Sequence, residues 1–205
     1  MNDTRDKILD TAERLIGEQG YAATSLRHII AEAGVNLAAV HYHFGSKEEL
    51  LDELVLRKAS KVNAVRIARL EALEHAVRGA RLDVLPVLEA FFEPAVEVAA
   101  AHPQFFRLMG RIISEGMMPA IAEKHFHPTV QRFVKALRHA LPEVPQEELL
   151  WRVHFMFGAM AHTMSGTPKL PRLVARETDL RWRMKLLVTF LAAGFRAPAS
   201  QGEEK

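Results

Sequence analysis

Residues 24–47, TSLRHIIAEAGVNLAAVHYHFGSK, decide the fold of this chain. They read as two short helices joined by a tight turn, followed at once by the start of a third. Thr24 or Ser25 caps the first helix, because a hydroxyl there accepts a backbone N–H that the helix leaves unpaired. Leu26, Ile29, Ile30 and Ala33 then fall on one helical face. Gly34 ends that helix, where a left-handed residue is needed. Asn36 is placed to cap the second helix, whose Val40 and Phe44 point back into the same small core. Gly45 stops it, and Ser46-Lys47-Glu48-Glu49 has the pattern of a capping box opening the next helix. Helix, glycine turn, helix is the layout that sets a second helix in the DNA major groove. DNA binding is the expectation.

Working outward, the chain has 205 residues, enough for one or two domains with a large core. It holds 49% hydrophobic and 25% charged residues, ordinary for a globular protein. No cysteine is present, which removes disulfides, thiolate zinc sites and cysteine nucleophiles together. The opening MNDTRDKILD is charged and helical in pattern, so no signal peptide is expected. Apolar runs such as 188–195 are far short of a membrane span, so no membrane partner is expected and a cytoplasmic location follows by elimination.

Charge pulls against the DNA reading. Residues 1–60 carry seven Lys/Arg against ten Asp/Glu, a balance of −3, whereas nucleic-acid binders are usually basic. The alternative that the charge leaves open is a helical bundle that touches no DNA. However, Asp6, Asp10, Glu13 and Glu32 sit in the first two helices, which need not face phosphates. A helix N-terminus also offers backbone N–H groups to phosphate without side-chain charge. The motif outweighs the count.

Beyond Ser46 the pattern is helical throughout. Helices are predicted over 47–77 (ended by Gly79), 83–101, 103–115, 119–141, 146–165 and 177–195. Pro94 should kink the second of these, and His127-Pro128 should break or kink the fourth. A proline-bearing loop, GTPKLPRLVAR, separates the last two, and the chain from Ala197 on reads as a frayed tail. The fold class is therefore all-α. A three-helix helix-turn-helix domain (1–50) is followed by a larger ligand-binding and dimerisation domain (51–197) and a flexible tail (198–205).

The run from Ile8 to Leu50 resembles the N-terminal domain of TetR/AcrR-type bacterial repressors. The matching pieces are ILDTAERLIGEQGYAATSLRHIIAEAGV and VHYHFGSKEEL, in the right order and spacing. The resemblance implies base and backbone contacts from Leu37, Ala38, Ala39, His41, Tyr42 and His43, and further DNA contacts from Ser25, Arg27 and Lys47. Physically, Arg27 suits a guanine or a phosphate, and Lys47 a phosphate. Leu37 and the alanines can touch thymine methyls. Val40 and Phe44 read better as core. The chain departs from the commoner family pattern in lacking an early lysine in the recognition helix and in having His41 where tyrosine is frequent.

Residues 61–205 hold 20 Lys/Arg and 15 Asp/Glu, a balance of +5, and seven methionines. Phe92, Phe106, Met109, Ile113, Met117, Met156 and Met160 recur at helical spacing and are the candidate lining of an apolar effector site, although simple core packing gives the same pattern. Arg107 and Arg111, four apart, could anchor a carboxylate or phosphate, or lie on solvated surface. Glu123, His125 and His127, with His154 and His162, are weighed as metal ligands, but their spacing does not require convergence and no metal is expected. No nucleophile elbow, phosphate loop or dinucleotide glycine pattern occurs, so no catalytic residue and no cofactor are assigned.

The segments LLWRVHFMFGAMAHTMSG and KLLVTFLAAGFRA resemble the C-terminal half of fatty-acid-responsive members of the same family. The resemblance implies a long-chain fatty acid or acyl derivative as effector. Gly158, Ala161 and Ser165 form a small-residue ridge, suited to a homodimer packed through the last two helices. The reading is a dimeric repressor that binds a palindromic double-stranded operator and releases it on binding a small apolar effector. The alternatives are a helical lipid- or small-molecule-binding protein without operator recognition and, third, a small-molecule-modifying enzyme.

Overall fold

In the computed structural model, residues 2–37, 42–164 and 179–200 are described. Among them the chain is helical almost throughout and contains no strand. The helices are α1 (Asn2–Gln19), α2 (Leu26–Ala33), α3 (Lys47–Val77), α4 (Val84–Ala101), α5 (Pro103–Ser114), α6 (Met118–His125), α7 (His127–Ala140), α8 (Gln146–Met164) and α9 (Leu180–Phe195). Leu37, Tyr42 and His43 are helical too, at the two ends of the recognition segment.

Two compact units result, and each takes residues from separated parts of the chain. The first comprises Met1–Val62 and Val98–His127, the second Asn63–Glu97 and Pro128–Lys205. Both α3 and α4 therefore contribute to each unit.

In the first unit, Ile8, Leu9, Ala12, Leu15 and Ile16 recur at helical spacing on α1 and are fully buried. They share this unit's apolar interior with Ile29, Leu50, Leu54, Leu108 and Ile112. A Cβ built on Gly17 would lie 3.4 Å from the carbonyl oxygen of Gln104 and from the amide nitrogen of Leu108. Through this residue the α1 and α5 backbones come into van der Waals contact. Acidic residues are taken up internally: Arg57 pairs with Asp10 (2.8 Å) and with the buried Glu13 (3.0 Å), Arg14 with Glu32 (2.8 Å), and Arg5 with Glu53.

The second unit is built on Leu70, Leu88, Phe91, Phe92, Phe133, Leu137, Met156, Met160, Met184 and Phe195. Phe91 is at its aromatic centre, edge-on to Phe92, Phe133 and Phe157 at centroid separations of 5.5, 5.0 and 5.9 Å. The helix around it runs on through Pro94, which removes the donor to the Ala90 carbonyl without ending the helix. The break expected near His127-Pro128 falls at Phe126.

The tail is where the structure departs most from the sequence reading. Residues 197–200 are held against α8 rather than frayed. Arg152 donates to the carbonyls of Phe195 (2.6 Å), Ala197 (3.0 Å) and Pro198 (3.0 Å), and the Ser200 amide donates to Glu148 (3.0 Å). The half-buried arginine satisfies the Phe195 carbonyl that α9 leaves open at its end and two carbonyls beyond it. Residues 201–205, the loop 166–176 and Ser165 lie outside the described residues.

Candidate nucleic-acid interface

The reader is assembled from its turns. Ser25, in extended backbone, is the cap of α2: its Oγ accepts from the His28 amide at 3.1 Å. Thr24 has a different task. Buried, it donates from its hydroxyl to the Gly20 carbonyl at 2.8 Å and so closes the α1–α2 turn. At Gly34 (φ 62°, ψ 38°) the amides of Gly34 and Val35 bond back to Ala31 and Ile30, each at 3.2 Å, the paired pattern of a left-handed helix stop. Ile29 and Ala33 are buried, while Leu26 and Ile30 are half-buried on the same face.

The far end of the recognition segment is fixed in the same way. Phe44 is buried, and Gly45 turns the chain at φ 71°. The left-handed backbone angle favours glycine here, and a Cβ on Gly45, 2.4 Å from Glu49 Oε2, would push that carboxylate out of its place. The capping box is formed in both directions: the Glu49 amide donates to Ser46 Oγ (3.1 Å), and the Ser46 amide donates to Glu49 Oε2 (2.9 Å).

Between these fixed ends, Leu37 (53% exposed) and Tyr42 (76% exposed) present large side chains to solvent, and His43 lies half-buried beside Tyr42, ring centroids 5.1 Å apart. In the major groove an exposed apolar side chain can meet a thymine methyl. Ala38, Ala39, Val40 and His41 lie outside the described residues. Arg27 is exposed on α2, and among the described residues no carboxylate holds it. Lys7 is likewise exposed, its Nζ 3.8 Å from where a Cβ on Gly34 would stand.

Lys47 is more engaged than a dedicated phosphate ligand would be. Its Nζ donates to the Tyr21 carbonyl at 2.5 Å and sits 3.9 Å from the Tyr21 ring centroid. The Tyr21 hydroxyl in turn donates to Glu48 at 3.1 Å. Burial, then the hydrogen bond and negative charge of Glu48, push the phenol up to about 12.

Sequence reasoning missed two residues that hold this turn. Glu115, just after α5, accepts from the amides of Tyr21 (3.0 Å) and Ala22 (3.1 Å), with Gly20 at φ 94° shaping the cradle. Arg111, read as a possible effector anchor, instead donates to the Glu18 carbonyl at 3.0 Å, in the last turn of α1. No local pattern announces either contact, since the partners stand about ninety positions apart. Arg107 remains exposed.

The histidine and acid cluster is used structurally as well. His125 Nε2 meets Asp52 at 3.1 Å, Lys124 pairs with the same carboxylate, and His127 pairs with Glu123 at 3.2 Å. Burial pushes Asp52 up, but hydrogen bonds from Lys124 and His125 outweigh it and hold the carboxyl below its usual range. Among the described residues no three His, Asp or Glu side chains are arranged to hold a metal ion.

The candidate effector residues divide between the units. Phe92, Met156 and Met160 share the interior of the second; Phe106, Met109, Ile113 and Met117 belong to the first. Neither unit alone brings all seven together.

Comparison with known proteins agrees with this geometry. The model of bacterial regulatory proteins of the tetR family matches residues 8–54, and that of the tetracyclin repressor-like C-terminal domain matches residues 89–194, more than half of the chain. This chain belongs to the TetR family. Members of the family are DNA-binding transcriptional regulators and not enzymes, and this one carries the family's helix-turn-helix domain. The HTH-type transcriptional regulator AcrR of Shigella flexneri is 44% identical over 52 residues, 25% of this chain and 24% of that protein. The chain thus spans about a quarter of the length of that relative. A TetR-family regulator structure from Shewanella sp. PV-4 aligns with TM-score 0.64 at 21% identity, covering 94% of this chain and 95% of that one. The fatty acid degradation regulator FadR of Bacillus halodurans aligns with TM-score 0.59 at 20% identity, covering 94% and 96%. At these identities the structures attest the TetR fold. Among the described residues no helix is long and apolar enough to cross a membrane.

Proposed function

We propose that this chain is a cytoplasmic, ligand-responsive repressor that binds a two-fold symmetric operator as a homodimer. The observation that carries the reading is an uncovered apolar strip on the last two helices. Trp151 and Phe155 on α8, four apart, and Trp182, Leu186 and Phe190 on α9, at successive fours, are all about half exposed or more. Strips of this kind mark protein interfaces, and two helices per protomer give a four-helix packing about a two-fold axis. Gly158 and Gly194 have open space where a Cβ would stand, which lets a facing helix come close.

A two-fold dimer sets its recognition segments about 34 Å, one DNA turn, apart or at a multiple of it. Ser25, Arg27, Leu37, Tyr42, His43 and Lys47, with Ala38, Ala39 and His41, are the proposed contacts. The proposed effector is a small apolar molecule, a fatty acid or acyl derivative. Its support is the phenylalanine- and methionine-rich interior, together with a fold shared with a regulator of fatty acid degradation.

Release follows from linkage. An effector acts only through its preference for the non-binding state. A 100-fold loss of operator affinity corresponds to a coupling of about 2.7 kcal/mol, and the operator must weaken effector binding by the same factor. One helix, α3, starts at the capping box of the reader and supplies residues to both units, so it is the proposed carrier of the coupling. The test is a gel shift on the promoter region of the chain's own gene, followed by calorimetric titration of a long-chain fatty acid into free and operator-bound protein. A shift with weaker effector binding to the complex is expected. Absence of any shift favours the lipid-binding alternative, and equal affinity in the two titrations removes the release mechanism.

A further inference from the structure

Arg66, in the middle of α3, is only 4% exposed. Its Nε donates to the Phe91 carbonyl at 2.8 Å, its Nη1 donates to Asn63 Oδ1 at 3.2 Å, and its guanidinium carbon lies 4.0 Å from the Phe91 ring centroid. All three partners are neutral. Among the described residues no carboxylate pairs with it. Three residues further along, Arg69 reaches Glu93 (2.6 Å) and Glu97 (2.8 Å) on α4, so the same pair of helices supplies acid to the half-buried arginine and, among the described residues, none to the buried one. Burial pushes the Arg66 guanidinium down to about 9, which still leaves it cationic at neutral pH.

A buried charge without a counter-ion is costly, and a neutral donor would serve the Phe91 carbonyl as well. Two of the five guanidinium N–H groups are used, leaving three in the planar fork that matches a carboxylate or phosphate. Phe91 is also the centre of the aromatic group formed with Phe92, Phe133 and Phe157, and Met156 and Met160 belong to the same apolar interior. A buried charge and the apolar core therefore meet at Phe91.

We propose that Arg66 anchors the head group of an effector built as a single carboxylate or phosphate on an apolar tail. This rests on the ligand-responsive reading above and adds the charge of the ligand and the residue that reads it. A neutral molecule of the same length leaves the guanidinium uncompensated and binds less well.

The test uses three probes with one tail: dodecanoate, dodecyl phosphate and dodecanol, titrated calorimetrically into the full-length protein, Arg66→Met and Arg66→Gln. In the parent chain at least one anion should bind roughly 10- to 100-fold more tightly than dodecanol, the range of a charge-assisted pair. The tighter anion identifies the head group. Both variants should bind all three probes alike, and Arg66→Met should melt, without ligand, no lower than the parent, because an uncompensated charge has gone. Equal binding of anions and dodecanol by the parent overturns the anchor, as does an anion preference that survives in either variant, or failure of all three probes to bind. Release of the chain's own promoter DNA by dodecanol as readily as by the anions would overturn the anchor yet leave the ligand-responsive reading standing. Tight anion binding through Arg66 with no effect on DNA would do the reverse.

Discussion

The Glu115 carboxylate accepts from the Tyr21 amide at 3.0 Å and from the neighbouring Ala22 amide at 3.1 Å, and so closes the turn on which the helix-turn-helix is hung. Without it, two backbone donors turn to solvent. Glu115→Ala is expected to lower stability by about 1 kcal/mol in urea unfolding, the net value of exposed hydrogen bonds of this kind. Gly20→Ala should do worse, because a Cβ there would stand 2.4 Å from Glu115 Oε1 on a backbone at φ 94°. A Gly20→Ala chain as stable as the parent would remove the latch.

Arg27 and Lys47 separate two ways of assisting DNA binding. Arg27→Ala should weaken binding to all sequences and reduce the slope of log affinity against log salt by about 0.9, one phosphate contact, with no change in melting temperature. Lys47→Ala should reduce the slope by about the same amount and also lower the melting temperature, since its Nζ holds the Tyr21 carbonyl. Fluorescence anisotropy over a salt series reads both. An unchanged slope for Lys47→Ala would confine that residue to the turn.

Phe190 is 72% exposed in the single chain, so replacing it should not disturb the fold. In a dimer formed through α8 and α9, Phe190→Glu places an unpaired carboxylate in an apolar interface. Sedimentation should show monomers with an unchanged helical spectrum and poor operator binding. An intact dimer would move the interface to another face. Ala161→Glu, on the small-residue side of α8, provides an independent check.

Asp52 gives the stability a sign in acid. Its folded carboxyl titrates below its unfolded value, so its contribution is present above the unfolded value of about 3.9 and is lost as pH falls through the lower folded one. Asp52→Asn should therefore melt lower than the parent at pH 6. The gap should narrow as the pH falls below the unfolded value and close once the parent's carboxyl is protonated in the fold too. A gap of constant size across that range would assign the loss to packing.

Much of the reader was legible in the sequence because its punctuation is local. Ser25, Gly34, Gly45 and the Ser46–Glu49 box act over three or four residues, and each does in the structure what its type and spacing imply. The order of helices was legible for the same reason, down to the span of α3. What could not be read were contacts whose partners lie far apart in the chain. Arg111 could be read as an anchor or as solvated surface; it is exposed, and its bond to a backbone carbonyl leaves no mark in a sequence. Arg152 likewise holds the residues after α9 through carbonyls alone, so their composition suggested fraying. Arg66 carried no signal, since burial of a lone arginine contradicts the ordinary expectation for its type.

The close passage of α1 against α5 at Gly17 has a consequence for how this reader comes into being. The first compact unit draws on residues 98–127 as well as on the first sixty or so, so a ribosome must deliver well over half of the polypeptide before the unit's apolar interior can close. Residues 1–50 made alone would expose Leu15 and Ile16 together with a glycine notch shaped for an absent helix. The segment that reads DNA is thus not a cassette that can be cut out and grafted elsewhere. Any exchange between relatives that preserves it must carry the α5–α6 segment with it.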